Sequence, residues 1–475
     1  MMQYDVVIIG AGLGGLECAY ILAKNGLKVC ILEKSDVIGG ALQSFKRAGT
    51  EFDTGFHYVG GIEEGQSLYP LFKYFNLLHL PWHKLDTDCF DKIVIDGRSF
   101  RHANGYKHFT DTLAEDFPSQ KDSLRKFVDV IASTASRVNS VINEPTTAYD
   151  IYSDSLFSTS TRNYLSSCFS DKLLIDVIAG SGLKIDITQK NLPFFIFAEI
   201  SNAYIQSAYR LGCEGSAIVE SLSDDVKQMG GEIFTKKEVE RIAVKDGRAC
   251  GVATTDGDFY ECDWIVSDVH PAVTISFAED SFRNIYKRRI RSHNQTLGMF
   301  TVNIKLKKDT LPYRNYNEFI YDKADLWSFD ADKPVDRVMV SYHYGAPSLD
   351  LMTPMSWKQV EQWADTSVGK RGAEYEAFKA RKVQECFRLV PEITDAVESF
   401  TASTPLTWHD YTSAPEGGAY GISKDCNSLS NTMLSPVTPI PNLILTGQNL
   451  NIHGVMGVSM TSVLSCNRII KTKIL

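Results

Sequence analysis

Gly10, Gly12 and Gly15, with Leu13 and Gly14 between the last two and an acid at Glu33, are the residues whose types and spacing carry the most chemistry. The glycines form G-x-G-x-x-G. At the first position glycine makes a tight turn, at the second it lets backbone approach a pyrophosphate, and at the third it lets a helix pack closely on a strand. A helix starting there offers free N–H groups and the positive end of its dipole to phosphate. Glu33 lies eighteen residues past Gly15. A carboxylate at that spacing accepts hydrogen bonds from ribose hydroxyls and disfavours a 2′-phosphate. The chemistry indicated is the binding of a dinucleotide.

The surrounding elements fit that reading. Tyr4–Ile9 is a short β-branched run of the kind buried on both faces of a sheet. Leu16–Asn25 has helical spacing, Gly26 stops it, and Lys28–Leu32 is a second strand that ends at Glu33. The motif therefore sits between strand and helix, where its specificity is greatest. After Glu33 and Lys34 come Gly39, Gly40 and Ala41, where a plain dehydrogenase would move on to a crossover helix. Paired glycines there suggest backbone running close to an extended dinucleotide.

Gly10–Gly15, Glu33, Gly39-Gly40, Ser44-Phe45 and Phe52-Asp53-Thr54-Gly55 with His57-Tyr58 resemble the entry of the phytoene desaturase superfamily of FAD-dependent oxidoreductases. The likeness is nearest to the branch of retinol saturases and carotenoid isomerases. It implies FAD as cofactor and an α/β fold. That fold is a Rossmann-like FAD-binding domain of the glutathione reductase type, with an inserted substrate domain of mixed β-sheet and helices. It also implies that Val239 meets the adenine. The segment with Gly447, Gln448, Gly454, Met456 and Gly457 would face the ribityl chain and flavin pyrimidine. Asn449 stands where many members carry an acid.

The rest of the chain suggests how these pieces are joined. Ala217–Met229 reads as a helix; Glu232–Thr235, Val239–Val244, Cys250–Thr254 and Phe259–Val266 read as strands separated by Asp-Gly turns. Leu443–Thr446 reads as a strand and Val458–Ile470 as a helix whose free N–H groups follow Gly457. Phe117–Ile142 and Trp357–Val390 have helical character, and Leu297–Leu306, Phe319–Tyr321 and Val338–Tyr344 look like strands. An FAD-binding domain is expected from residues 1–75, 208–275 and 401–475, and a substrate domain from 76–207 and 276–400. A second strand–G-x-G-x-x-G–helix unit is absent, so one dinucleotide per chain is expected, with an unidentified electron carrier.

Composition narrows the alternatives. The 475 residues include 49 basic and 58 acidic side chains, a net charge of −9, which argues against a nucleic-acid partner. The longest apolar stretches fall far short of a membrane span. Ten cysteines without C-x-x-C signal neither a metal site nor disulfides, and with no secretory signal the expected compartment is a reducing cytosol. The basic run Arg283–Arg291 reads as a solvated helix face; peripheral docking on anionic lipid is the other reading.

The resemblance implies hydride or electron exchange with an unactivated polyene or other hydrophobic isoprenoid lipid. His57, Tyr58, Tyr420 and His453 are the candidate catalytic groups. His57 and Tyr58 would donate a proton, or His57 would bond a backbone carbonyl as a core histidine. Phe194, Phe195 and Phe197 read as core rather than pocket. Saturation or desaturation of carbon–carbon double bonds is the leading reading. A non-redox polyene isomerase, a flavin amine oxidase and a silent lipid-binding flavoprotein are the alternatives.

Overall fold

The structure is a computed structural model and describes residues 2–143, 155–366, 368–470 and 474. Met2–Ile9 lies inside a seven-stranded sheet, parallel to Val29–Leu32 on one side and to Phe259–Ser267 on the other. Glu232–Phe234 extends the sheet beyond Val29–Leu32. The side chains of Val6, Val7, Ile8, Val29, Cys30 and Ile31 are fully buried, as strands covered on both faces require. Phe259–Ser267 shares its second edge. Its first residues pair antiparallel with Arg248–Thr254, which pairs with Val239–Lys245, and its last three pair parallel with Leu443–Leu445. Three distant stretches thus end together, which brings Gly10, Asp268 and Gly447 to one place beyond the carboxyl ends of parallel strands. Ligands of open α/β sheets bind there.

Strand edges moved by a residue or two from the expected ones; the helices moved more. The first helix is Leu13–Lys24, starting three residues earlier than Leu16. Its first turn lies inside the glycine motif, with the Leu16 N–H on the Gly12 carbonyl at 3.0 Å. The closing helix is Gly454–Cys466, not Val458–Ile470. Gly454 has φ +75°, a conformation glycine enters freely, so the helix begins there. The two helices pack through small residues: Ser459 Oγ donates to Glu17 Oε1 at 2.5 Å and Ser462 Oγ to the Gly14 carbonyl at 3.4 Å. The long helical stretch at 357–390 is broken. Short 3-10 turns occupy Trp357–Gln359 and Glu361–Trp363, and the helix proper is Gly372–Leu389. Gly369 and Gly372, at φ +78° and +80°, interrupt the pattern. Likewise the helix expected from Phe117 starts at Lys121, after a turn at Pro118–Gln120.

A second seven-stranded sheet runs in the order Val397–Ser403, Gly298–Leu306, Ser348–Met355, Arg337–Tyr342, Asn317–Tyr321, Asp91–Ile95, Arg98–His102. It is mixed: Asn317–Tyr321 and Asp91–Ile95 are parallel, and the other pairs are antiparallel. Helices Lys121–Asn143 and Phe194–Gln206 pack on each other, and helix Tyr106–Asp116 packs on strand Arg98–His102 of this sheet and on both helices. Phe194, Phe195 and Phe197 are core, as their pattern suggested. Phe195 stacks on Phe157 at 4.6 Å between ring centres and Phe194 on Tyr164 at 3.7 Å.

Candidate functional site

The glycine motif forms a cradle that only glycine allows. Gly10 has φ +94°, and a Cβ at Gly15 would overlap the Gly10 carbonyl oxygen. Gly39, at φ +117°, donates its N–H to the Ala11 carbonyl at 2.8 Å, and a Cβ on Gly40 would lie 3.3 Å from the Gly12 Cα. The paired glycines therefore lie against the first turn. Glu33 accepts the Ala11 N–H and the Ser35 N–H, each at 2.9 Å. One bond falls on each oxygen, so lone pairs remain for further donors.

Asp268, at the end of strand Phe259–Ser267, points into the cradle. Its carboxyl oxygens would touch a Cβ placed at Gly12, Gly14 or Gly447. Burial pushes its pKa up to about 7, against the hydrogen bond from Gly15, and Glu33 pushes the same way. An acid held near neutrality at a helix N-terminus marks a place that tolerates little extra negative charge while it is ionised.

A cavity of about 440 Å³ runs from this cradle into the space between the sheets. Its walls include Gly10, Gly12, Leu13, Gly14, Glu33, Lys34, Gly39, Gly40, Ala41, Val239, Gly447, Gln448 and Gly454, together with His57, Tyr58, Tyr420 and His453. Of the expected site residues, Gly15, Met456 and Gly457 do not line it. Gly15 acts behind the cradle, Met456 faces a side cavity of about 80 Å³, and Gly457 is packed on the Ile452 carbonyl. The unpaired N–H groups of the closing helix belong to its first residues, Gly454, Val455 and Met456, so the expectation that they follow Gly457 is corrected. Lys34 Nζ is bonded to Ser413 Oγ at 2.7 Å and to the Asp410 carbonyl at 3.3 Å. Asn449 Oδ1 accepts the Ile422 N–H at 3.2 Å, which fixes the closing loop.

The far wall is aromatic and thioether-rich, with Tyr58, Tyr204, Tyr420, Met299, Met339 and Met352. Here the titratable groups are held in place. His57 Nδ1 lies 3.6 Å from Asp350 without a hydrogen bond, and burial lowers its pKa to about 4, against the pull of Asp350. Asp350 is already engaged by His343 Nε2 at 2.8 Å and Asn303 at 2.7 Å. His453 Nε2 bonds the Lys184 carbonyl at 3.1 Å, and burial lowers its pKa to about 4 as well. Tyr420 Oη donates to the Leu183 carbonyl at 2.8 Å. Tyr58 Oη donates to Asp91 at 2.9 Å, and its pKa is raised first by burial and then by Asp91.

Among the cavity residues not singled out in the sequence are Asp268 and Lys184. The first stands one residue past a recognised strand; the second is a lone lysine in the otherwise apolar stretch Gly182-Leu183-Lys184-Ile185.

A family described as flavin containing amine oxidoreductase matches residues 13–470. The chain belongs to this family. Its members are flavoproteins, and this flavin containing amine oxidoreductase family member is an FAD-dependent oxidoreductase. It is 27% identical to "All-trans-retinol 13,14-reductase" of Homo sapiens, over 99% of this chain and 86% of that protein. It is 24% identical to "Prolycopene isomerase 2, chloroplastic" of an Oncidium hybrid cultivar, over 88% of this chain and 75% of that protein. Among solved structures, a putrescine oxidase bound to putrescine superposes with a TM-score of 0.67 at 17% identity, covering 99% of this chain and 100% of that one. That likeness establishes the Rossmann-like FAD-binding fold expected from the sequence.

Proposed function

We propose that this enzyme reduces carbon–carbon double bonds of a long apolar polyene of isoprenoid type, with all-trans-retinol the first substrate to test. One observation carries the reading: the glycine cradle and the aromatic, methionine-rich wall share one cavity. Similarity to retinol 13,14-reductases over nearly the whole chain supports the substrate class. A polyene offers little to hydrogen-bond, so it must be held by apolar and aromatic surface. Met299, Met339 and Met352 provide surface that adapts to a long chain.

In this reading the N–H groups of Gly12–Gly14 and the first helix hold the pyrophosphate, Glu33 the ribose hydroxyls and Val239 the adenine. Gly447, Gln448 and the first N–H groups of the closing helix take the ribityl chain and flavin pyrimidine. Bound FAD supplies two-electron hydride transfer. Tyr420 and His453 anchor the turn Gly182–Ile185 beside the closing helix, while His57 and Tyr58 face the polyene. Helix Asn284–Arg291 exposes Ile285 at 71% beside Arg288 and Arg289, with Lys287 and Arg291 tied to Glu279, which supports a peripheral lipid contact. No helix among the described residues is long and apolar enough to cross a membrane.

A cationic amine substrate is favoured by a nearby carboxylate and disfavoured by a nearby cation. The acids lining the cavity, Glu33, Glu238 and Asp268, all lie at the nucleotide end, and the far end presents Lys184. Isomerisation without net redox is the second reading, supported by the similarity to prolycopene isomerases. The test mixes anaerobically photoreduced holoprotein with all-trans-retinol or a carotene and, separately, oxidised holoprotein with putrescine under anaerobic conditions, each read at the oxidised-flavin band. Reoxidation of the reduced flavin by a polyene, and no bleaching of the oxidised flavin by the amine, is expected. Polyene isomerised with the flavin still reduced selects the second reading, and no response to any polyene overturns both.

A further inference from the structure

We infer that Lys184 is the acid that delivers a proton to the substrate carbon opposite the one receiving hydride; this rests on the polyene-reductase reading above. Lys184 lies in the 3-10 turn Gly182–Ile185, at the junction of three cavities. The main one is about 440 Å³ and two side ones are about 80 and about 10 Å³; Lys184 and Tyr204 wall all three. The turn is pinned from the cofactor side, because Tyr420 Oη holds the Leu183 carbonyl and His453 Nε2 the Lys184 carbonyl. His453 is also the N-cap of the closing helix, so the backbone of Lys184 is fixed next to the segment proposed to face the flavin ring, while Tyr58 and Asp91 hold its ammonium.

The other candidates are poorly placed to give a proton. Tyr420 has given its hydroxyl hydrogen to a carbonyl, and Tyr58 directs its own at Asp91. The His57 and His453 rings, with pKa values near 4, are neutral at physiological pH. Lys184 Nζ has three protons. One points at Tyr58 Oη at 3.0 Å and one at Asp91 Oδ2 at 3.4 Å; the third has no hydrogen-bond acceptor among the described residues, and Nζ sits 3.7 Å from the ring centre of Tyr204, which walls the cavity with it.

The charges around it make loss of that proton tolerable. Asp91, fully buried, serves two cations: Lys184 directly, and Arg210 through Asn317, which donates to Asp91 Oδ1 at 3.1 Å and accepts from Arg210 at 2.8 Å. Tyr58, Tyr204, Tyr420, Tyr321, Cys89 and a neutral His102 are the titratable groups around the cluster, and burial raises the pKa of each tyrosine and of the thiol. With Lys184 protonated the cluster carries one excess positive charge, and with it neutral Asp91 balances Arg210. Burial accordingly lowers the Lys184 pKa, against Asp91.

The step balances as follows. One alkene carbon receives hydride, supplied by reduced flavin. The π pair forms a C–H bond at the other carbon with a proton from Lys184 Nζ, whose N–H bond breaks. The lysine is left neutral, the flavin is oxidised by two electrons and the alkene becomes an alkane bond. The 80 Å³ side cavity, walled by Tyr58, Lys184, Tyr204 and His453, has room for water to return the proton.

The test uses holoenzymes of wild type, Lys184→Met, Lys184→Arg and Asp91→Asn. Two measurements are made from pH 6 to 10: single-turnover flavin reoxidation by all-trans-retinol, and the absorption spectrum of the oxidised flavin without substrate. Lys184→Met is expected to slow reoxidation by about 100-fold or more, the span of general acid catalysis, with normal FAD content and photoreduction. Lys184→Arg restores part of the rate and moves its alkaline fall to higher pH. Asp91→Asn moves that fall to lower pH. The wild-type spectrum shows a titration that Lys184→Met abolishes. Lys184→Met within threefold of wild type, with the same pH profile, overturns the role while leaving the polyene reading intact. A wild type that reduces no polyene removes that reading and the role together.

Discussion

Replacing Asp268 by asparagine should uncouple FAD binding from pH. The carboxyl is enclosed by Gly12, Gly14 and Gly447, and its pKa rises from 3.8 to about 7. At about 1.4 kcal/mol per pH unit, ionising it in the folded protein costs up to roughly 4 kcal/mol. Water in the cavity it faces makes that an upper bound. Between about pH 4 and 7 the folded chain keeps a proton that the unfolded chain has lost, so this group makes stability fall as pH rises through that window. A pyrophosphate in the cradle adds negative charge beside it, so the bound state holds the proton to still higher pH. FAD affinity should then be flat below about pH 7 and weaken tenfold per unit above it, roughly 90-fold between pH 6 and 9. Apoprotein titrated with FAD by fluorescence quenching at pH 6, 7, 8 and 9 measures this. Asp268→Asn should change less than threefold over the same range, and its apoprotein should be more stable than wild type at pH 8. Equal pH slopes in the two proteins would refute the placement of pyrophosphate beside this acid.

Other substitutions probe the rest of the account. Gly15→Ala puts a methyl group into the Gly10 carbonyl oxygen and should abolish FAD retention through gel filtration; a yellow, fully loaded variant would contradict the cradle. Val455→Pro removes one free N–H from the first turn of the closing helix, where proline is tolerated. The flavin midpoint potential should fall by about 6–43 mV, for a dipole interaction of roughly 0.3–2 kcal/mol; an unchanged potential in loaded protein leaves that turn a structural role only. Phe194→Ala should cost about 3–5 kcal/mol in urea denaturation, with turnover per folded molecule unchanged, because the ring is core rather than cavity wall.

What could be read from the sequence was what is local. The strand, glycine turn and acid of Tyr4–Glu33 lie within thirty residues, and each has a stereochemical reason visible in one dimension. The strands around Val239–Val266 were legible from their Asp-Gly turns. Helix starts were less so, because glycine reads as loop: Gly14 and Gly15 are in the first helix, and Gly454 opens the last. The chemistry at the far wall was hidden for a different reason. Tyr58, Asp91 and Lys184 are joined across 33 and 126 residues, and no spacing rule connects them. Tyr420 and His453 were found by resemblance. That both are bonded to the carbonyls of one short turn follows only from the fold.

The most direct test of the central claim is the mass of the product. Holoprotein is photoreduced anaerobically, given a slight excess of all-trans-retinol, quenched after one turnover and extracted for mass spectrometry. One product molecule heavier by two hydrogens is expected for each flavin reoxidised. Recovered retinoid of unchanged mass, with the flavin still reduced, would contradict it.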